Sequence, residues 1–169
     1  DLVTVLSEDL IESKFGGDLG ASDAGSRGVT GLVFDSRQVR PGNLFVAFRG
    51  GSTDGHTFIP DAIRRGAAGV VGEIGIDLLA VPYLQVRDSR LALAKLSAAF
   101  YGYPSGKMKV LGVTGTDGKT SCSHFIAQAL HAESEPCGLI GTLGYGLYGK
   151  LRAGLHTTPD ALTLQEELA

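Results

Sequence analysis

Val110-Leu-Gly-Val-Thr-Gly-Thr-Asp-Gly-Lys-Thr-Ser121 is the stretch that decides how this chain is read. Its apolar, β-branched start, Val110 to Val113, predicts a short strand, and Thr114 to Gly118 form a glycine-punctuated turn. From Lys119 a helical pattern begins, with Phe125, Ile126, Ala129 and Leu130 on one face. A strand, a Gly-rich turn and a helix N-terminus together make a phosphate cradle. Successive backbone N–H groups converge there, and the helix dipole adds about half a positive charge. Lys119 supplies a full charge for β- and γ-phosphates, and the Thr120 hydroxyl suits Mg²⁺. Gly115 and Gly118 allow torsions and close approach that a Cβ would block. The pattern is a shortened one, Gly115-Thr-Asp-Gly-Lys-Thr120, because Val113 stands where the longer form has its first glycine. The plain alternative is an ordinary strand-to-helix turn with a solvated lysine; the flanking strand and helix favour the cradle.

The rest of the chain sets bounds. At 169 residues it is one large domain or two small ones, and 43% hydrophobic with 20% charged residues suffices for a packed core. A formal charge of −3 and no basic cluster argue against nucleic acid as a partner. No apolar run approaches the roughly 20 residues of a membrane span, and no signal peptide is visible, so the expectation is a soluble cytoplasmic protein without a membrane partner. Cys122 and Cys137 lack metal-ligand spacing and read as buried thiols of a reducing compartment.

Working outward, Thr4 to Phe15 carries Val5, Leu6, Leu10 and Ile11 at helical spacing and predicts a short opening helix. Gly16 to Gly28 reads as loop. Gly31 to Phe34 is a strand running into Asp35-Ser-Arg37, which by itself is an Asx-type turn with a surface arginine. Leu44 to Phe48 is a central strand, and Gly50 to Gly55 a polar loop. A helix from Phe58 to Arg65 stops at Gly66, the C-cap residue. Strands follow at Gly69–Val71 and Tyr83–Val86, and Asp88 caps a helix reaching about Tyr101. His56 suits a cap of its helix; His124 and His131 share a helical face and, with Lys95 and the Arg64-Arg65 pair, read as solvated. Tyr103-Pro-Ser-Gly106 breaks the pattern. The expected fold is α/β: a small N-terminal α/β domain, 1–104, followed by the start of a P-loop domain, 105–169. The second part shows two strands, Val110–Val113 and Gly138–Thr142, and a last helix with Pro159 in its first turn. Two strands are too few for a doubly wound sheet, and the chain lacks an initiator Met, so it reads as a piece of something longer.

Four ordered segments carry a family resemblance: Asp35-Ser-Arg37 with Pro41-Gly-Asn-Leu-Phe-Val-Ala47, then Asp54-Gly-His-Thr-Phe-Ile-Pro60, Thr114-Gly-Thr-Asp-Gly-Lys-Thr120, and His156-Thr-Thr-Pro-Asp160. Together they resemble the Mur ligases, ATP-dependent amide-forming enzymes of peptidoglycan synthesis. Within that family they are most similar to the members that add the third stem-peptide residue to UDP-N-acetylmuramoyl-L-Ala-D-Glu. Threonine after Lys119 favours this family over the folylpolyglutamate synthetases, which usually place glycine there.

The resemblance implies an ATP-dependent acid–amino-acid ligase, with the 105–169 part as the opening of the Mur ligase central domain. It implies ATP binding by Thr114, Gly115, Thr116, Asp117, Gly118, Lys119 and Thr120. Lys119 and Thr120 would take part in catalysis, Thr120 as a Mg²⁺ ligand. Phe34, Ser36, Thr157 and Thr158 would bind the UDP-muramoyl-dipeptide, more weakly joined by Gly51, Ser52 and Thr53, with His156 where Asn is common. Asp117 stands where the family usually has Asn. The implied chemistry passes the γ-phosphoryl group of ATP to the substrate carboxylate, and the amine of a diamino acid, diaminopimelate or lysine, then displaces phosphate. Alternatives are a non-catalytic nucleotide-binding module, another Mur or folylpolyglutamate-type ligase, or a P-loop kinase. These 169 residues alone are expected not to ligate, and the sequence leaves the oligomeric state open.

Overall fold

The computed structural model describes residues 2–14, 28–51, 53–77, 80–154 and 157–169. The chain divides into two compact units, Asp1–Gly102 and Tyr103–Ala169.

The first unit is built on a five-stranded sheet in the order β1-β5-β4-β3-β2. Strands β2 (Gly31–Val33), β3 (Asn43–Val46), β4 (Gly69–Gly72) and β5 (Tyr83–Val86) are mutually parallel, and β1 (Leu10–Lys14) closes one edge antiparallel to β5. Every residue of β3 and β4 is buried. Such continuous apolar runs are what a parallel sheet covered on both faces requires. Phe45 pairs with Val33 on one side and Val70 on the other. Phe45, Val70 and Tyr83 form a core with Val39, Ala47, Ile59, Ala62 and Ala67. Burying a side chain such as Phe45, which is 0% exposed, contributes about 1.5–3 kcal/mol.

Helix α2 (Ile59–Arg64) ends as its sequence predicts. Gly66 takes a φ of +94° and donates to the Ile63 carbonyl, while the Ala67 N–H reaches Ala62, a Schellman closure. Helix α3 (Ser89–Phe100) is capped by Asp88, whose carboxylate accepts from the N–H groups of Arg90 and Leu91. It buries Ala92, Leu93 and Leu96, one face at helical spacing.

The opening helix of twelve residues does not form. Helix α1 spans only Leu2–Val5, and after a turn the chain enters β1, with Phe15 outside the described residues. The free edge of β5 offers a full ladder of backbone partners, Lys14 opposite Tyr83 and Ser13 opposite Leu84. Long-range pairing overrides a weak period of four apolar residues. Lys95 is no solvated residue either: its ammonium lies 2.5 Å from Asp9, a contact that raises its pKa and ties α3 to the turn before β1. Arg64 and Arg65 are exposed, as expected of a solvated face, and both pair with Asp61, at 2.6 and 2.9 Å.

The second unit contains α4 (Lys119–Ala132), a hairpin of β6 (Gly138–Gly141) and β7 (Gly144–Leu147), and α5 (Ala161–Leu168). Strand β6 is close to expectation; β7, turned on Thr142-Leu143, is new. Val110–Val113 is not a strand: among the described residues nothing pairs with it, and Val110 and Leu111 are 63% and 66% exposed. A strand exists only where a neighbouring strand supplies its hydrogen bonds, and a local apolar pattern cannot report that. The burial of α4 also differs from its pattern. Ala127 is its one fully buried residue among those described, whereas Phe125 is 69% exposed. His131 is exposed and His124 half-buried, and both rings also lie against Tyr148, with centroids 5.5 and 6.1 Å away. Helix α5 starts two positions beyond Pro159, which precedes the N-cap instead of lying in the first turn; the N-cap is Asp160, accepting from the Thr163 N–H. Cys122 is exposed and Cys137 half-buried; both are free thiols, not the buried pair expected.

Candidate functional site

The glycine-rich turn leads, without a preceding strand, into a helix whose N-terminus is uncapped. Gly115 and Gly118 have φ of +149° and +75°, and no side chain hydrogen-bonds the N-terminus of α4, whose N-cap is Gly118. The first-turn N–H groups therefore lack intrahelical acceptors and point out of the helix, a ready site for an anion. The loop is open to solvent from Thr114 to Lys119, and Thr120 is half-buried at the first turn. The Lys119 ammonium folds back over the turn and donates to the carbonyls of Gly115 (2.6 Å) and Thr116 (3.0 Å). Its charge thus sits at the mouth of the loop, held by contacts that a phosphate oxygen can replace. No side chain caps α4, so Asp117 has no capping role.

Asp117→Asn is accordingly expected to leave ATP affinity unchanged or to improve it by up to about fivefold. The substitution removes repulsion toward a triphosphate, against a charge–dipole benefit of about 0.3–1 kcal/mol to the helix. Isothermal titration of both forms measures this; a large loss would assign Asp117 a ligand-binding role.

Thr157 and Thr158 are exposed in the segment that enters α5. His156 and Ser52 lie outside the described residues. Among the described residues no group of three or more His, Cys, Asp or Glu side chains converges as a metal site.

In the first unit, the carboxyl ends of the parallel strands bring the other candidates to one edge of the sheet, the side on which open α/β sheets bind ligands. Phe34 follows β2 and packs on Phe48, which follows β3, with ring centroids 5.7 Å apart. The Arg90 guanidinium sits 4.9 Å from the Phe48 centroid. Asp35-Ser-Arg37 folds as the expected Asx turn: Asp35 caps a 3₁₀ turn over Ser36–Gln38 and accepts from the Arg37 backbone and guanidinium. That guanidinium holds the Asp35 carboxyl below the usual carboxylate range. Ser36 itself is buried. Its hydroxyl faces Asp61, which is held in its charged form first by Arg65 and also by Ser36 and Arg64.

The sequence pattern missed how the Asp54-Gly-His56 segment is used. Asp54, not His56, caps the 3₁₀ turn over Gly55–Phe58 by accepting from the His56 N–H. The His56 ring is buried and bridges two strand ends. Its Nδ1 lies 2.6 Å from Asp54, and its Nε2 accepts from the Glu73 N–H at 2.9 Å. Glu73, in turn, uses its carboxylate to accept from the Ser89 N–H at the start of α3. Nothing in the spacing pointed to Glu73, Phe48 or Arg90.

The first unit thus gathers its candidates along the strand ends, and the second carries a glycine-started helix with a lysine folded over its loop. Residues 28–101 match the Mur ligase family, catalytic domain, and residues 113–169 match the Mur ligase middle domain. The chain belongs to the Mur ligase family. It is 48% identical over 142 residues to the UDP-N-acetylmuramoyl-L-alanyl-D-glutamate–2,6-diaminopimelate ligase of Pseudomonas aeruginosa, covering 82% of this chain and 29% of that protein. The ligase of the same name from Listeria innocua is 43% identical over 138 residues, 82% of this chain and 28% of its own length. Among solved structures, a UDP-N-acetylmuramoyl-L-alanyl-D-glutamate–2,6-diaminopimelate ligase superimposes with a TM-score of 0.65 at 30% identity, over 82% of this chain and 28% of that one. A MurF ligase from Thermotoga maritima in complex with ADP gives 0.50 at 31% identity, over 64% and 25%. The chain thus spans under a third of the length of these relatives.

Proposed function

We propose that this chain carries nucleotide-handling parts of an ATP-dependent amide ligase of peptidoglycan precursor synthesis, one that adds a diamino acid to UDP-N-acetylmuramoyl-L-Ala-D-Glu in the cytoplasm. The observation that carries the reading is the α4 N-terminus: a 14-residue helix begun by a glycine, uncapped, with Lys119 held over its loop. It occurs in a chain 41–48% identical to ligases named for this reaction. In this reading residues 105–169 begin the ATP-binding domain. The first-turn N–H groups and Lys119 hold the β- and γ-phosphates, and Thr120 offers its hydroxyl to Mg²⁺. Lys119 exchanges its two carbonyl contacts for phosphate oxygens and stabilises the charge that develops as the phosphoryl group moves to the dipeptide carboxylate. Residues 1–104 hold the uridine end through Phe34 and the Ser36 turn, and Thr157 and Thr158 contact the muramoyl-peptide. Either diaminopimelate or lysine fits this account.

Binding of UDP-N-acetylmuramoyl-L-Ala-D-Glu and of ATP to the 169-residue chain, each by calorimetry, tests the reading. Ser36→Ala is expected to weaken the UDP-precursor several-fold, the cost of about one hydrogen bond, and to leave ATP affinity unchanged. Because Ser36 also faces Asp61, circular dichroism and a thermal melt of the variant separate lost binding from lost structure. Failure of the wild-type chain to bind either ligand, or equal losses for both in the variant, would overturn the assignment.

A further inference from the structure

Between β3 and α2, Arg49 and Asp54 are joined to the rest of the first unit through a series of five contacts. Arg49 and Asp54 face each other as an isolated antiparallel bridge and form an ion pair at 3.3 Å. Asp54 meets His56 Nδ1 at 2.6 Å, and His56 Nε2 accepts from the Glu73 N–H at 2.9 Å. Glu73 caps Ser89 at 2.9 Å, and the neighbouring Arg90 donates back to the Arg49 carbonyl at 3.1 Å. The contacts close into a ring that joins the ends of β3 and β4 to the start of α3. The turn's own backbone is tied within this ring, Gly50 donating to Thr53 and Gly55 to Phe48.

His56 is the one member that must bond in both directions at once. Its Nδ1 faces a carboxylate and so carries the hydrogen, and its Nε2 faces an N–H and so is bare. No other side chain of similar size offers a donor and an acceptor on opposite sides of one rigid ring. The ring is 6% exposed, so neither bond can be replaced by water without moving the turn.

We propose that His56 is a positioning residue for the uridine nucleotide: as the Nδ1–H tautomer it locks the turn containing Gly51 and Thr53 against the strand ends where Phe34 is presented. This rests on the proposed function, which places the uridine end of the substrate at that edge. The role is indirect, because His56 itself is buried.

His56→Gln tests it, since glutamine can accept from Glu73 but cannot also reach Asp54 from the same position. Three measurements on the 169-residue chain are needed. A long-range ¹H–¹⁵N spectrum of wild type is expected to show His56 with protonated Nδ1 and bare Nε2; the opposite tautomer would overturn the proposal. In His56→Gln, amide exchange is expected to accelerate by tenfold or more at Gly50 and Gly55 while Val70 and Leu84 in the sheet keep their protection. Unchanged exchange at the turn, or equal loss at the sheet, would overturn the locking role. Titration with uridine diphosphate is expected to show about tenfold weaker binding in the variant with ATP binding untouched. Equal uridine diphosphate binding by both forms would sink the positioning claim alone. No binding by wild type would sink the functional reading beneath it, while the exchange result still decides whether His56 locks the turn.

Discussion

Replacing Lys119 with alanine is expected to lower ATP affinity by about 10- to 100-fold while leaving the melting temperature within a degree or two. The first half follows from charge: a charge-assisted contact to phosphate is worth about 1.5–3 kcal/mol. The second half follows from where the side chain spends its interactions. Lys119 is exposed, and among the described residues its ammonium hydrogen-bonds only the Gly115 and Thr116 carbonyls, which water can satisfy once it is gone. Alanine is also at least as good a helix former as lysine at the first position of α4. Fold and function therefore separate in one variant. Lys119→Arg sharpens the test. The larger planar guanidinium keeps the charge but fits a cradle of backbone N–H groups poorly, so partial recovery is expected. Unchanged ATP affinity in Lys119→Ala would show that the α4 N-terminus is not the nucleotide site. In a ligase containing this segment, the same variant is expected to lose turnover at least in proportion.

How much of this could be read beforehand depended on the range of the interactions involved. Asp88, Asp35 and Gly66 announced themselves because capping, Asx turns and left-handed C-caps are settled within a few residues. The buried strand β3 was legible because a continuous apolar run of five residues fits a parallel sheet, and β4 was legible as the short β-branched stretch Gly69–Val71. What failed was non-local. Whether Leu10–Lys14 is helix or strand is decided by the edge of β5, 69 to 76 residues away in the chain. Whether Val110–Val113 is a strand depends on neighbours that the hydrophobic pattern does not encode. The site divided in the same way. The cradle from Gly115 to Thr120 is local and was visible as a string. The ring through Arg49, Asp54, His56, Glu73 and Arg90 joins the β3–α2 and β4–β5 connections to the start of α3, and only its Asp54-Gly-His56 segment left a mark in the sequence. His56 was noticed as part of a motif, yet its two partners were beyond the reach of spacing.

The same ring makes Gly72 one of the least replaceable residues of the first unit. Gly72→Ala is expected to destabilise it by about 2–3 kcal/mol and to weaken uridine nucleotide binding with no effect on ATP. A Cβ at this position would lie 2.6 Å from the Tyr83 hydroxyl, 3.0 Å from His56 Cδ2 and 3.1 Å from His56 Nε2. Neither neighbour can step aside. Tyr83 is 1% exposed, its hydroxyl donates to the Ile74 carbonyl at 2.6 Å, and burial with the nearby Glu73 charge pushes its pKa up to about 12. Overpacking of this kind costs about 1–3 kcal/mol, and a displaced Tyr83 also forfeits a buried hydrogen bond worth about 0.5–1.5 kcal/mol. Against this, alanine reduces unfolded-state entropy by about 0.4–1 kcal/mol, which is not enough to reverse the sign. For a unit of this size the loss corresponds to a fall in melting temperature of roughly 10–20 °C. Gly106→Ala is the matched control: nothing lies within 4 Å of its Cβ position, so its stability is expected to stay within about 0.5 kcal/mol of wild type. Chemical denaturation of the two variants gives the comparison directly. A Gly72→Ala protein as stable as wild type, with uridine nucleotide affinity intact, would mean that Tyr83 and His56 have room to move, and the rigid ring would then be wrong.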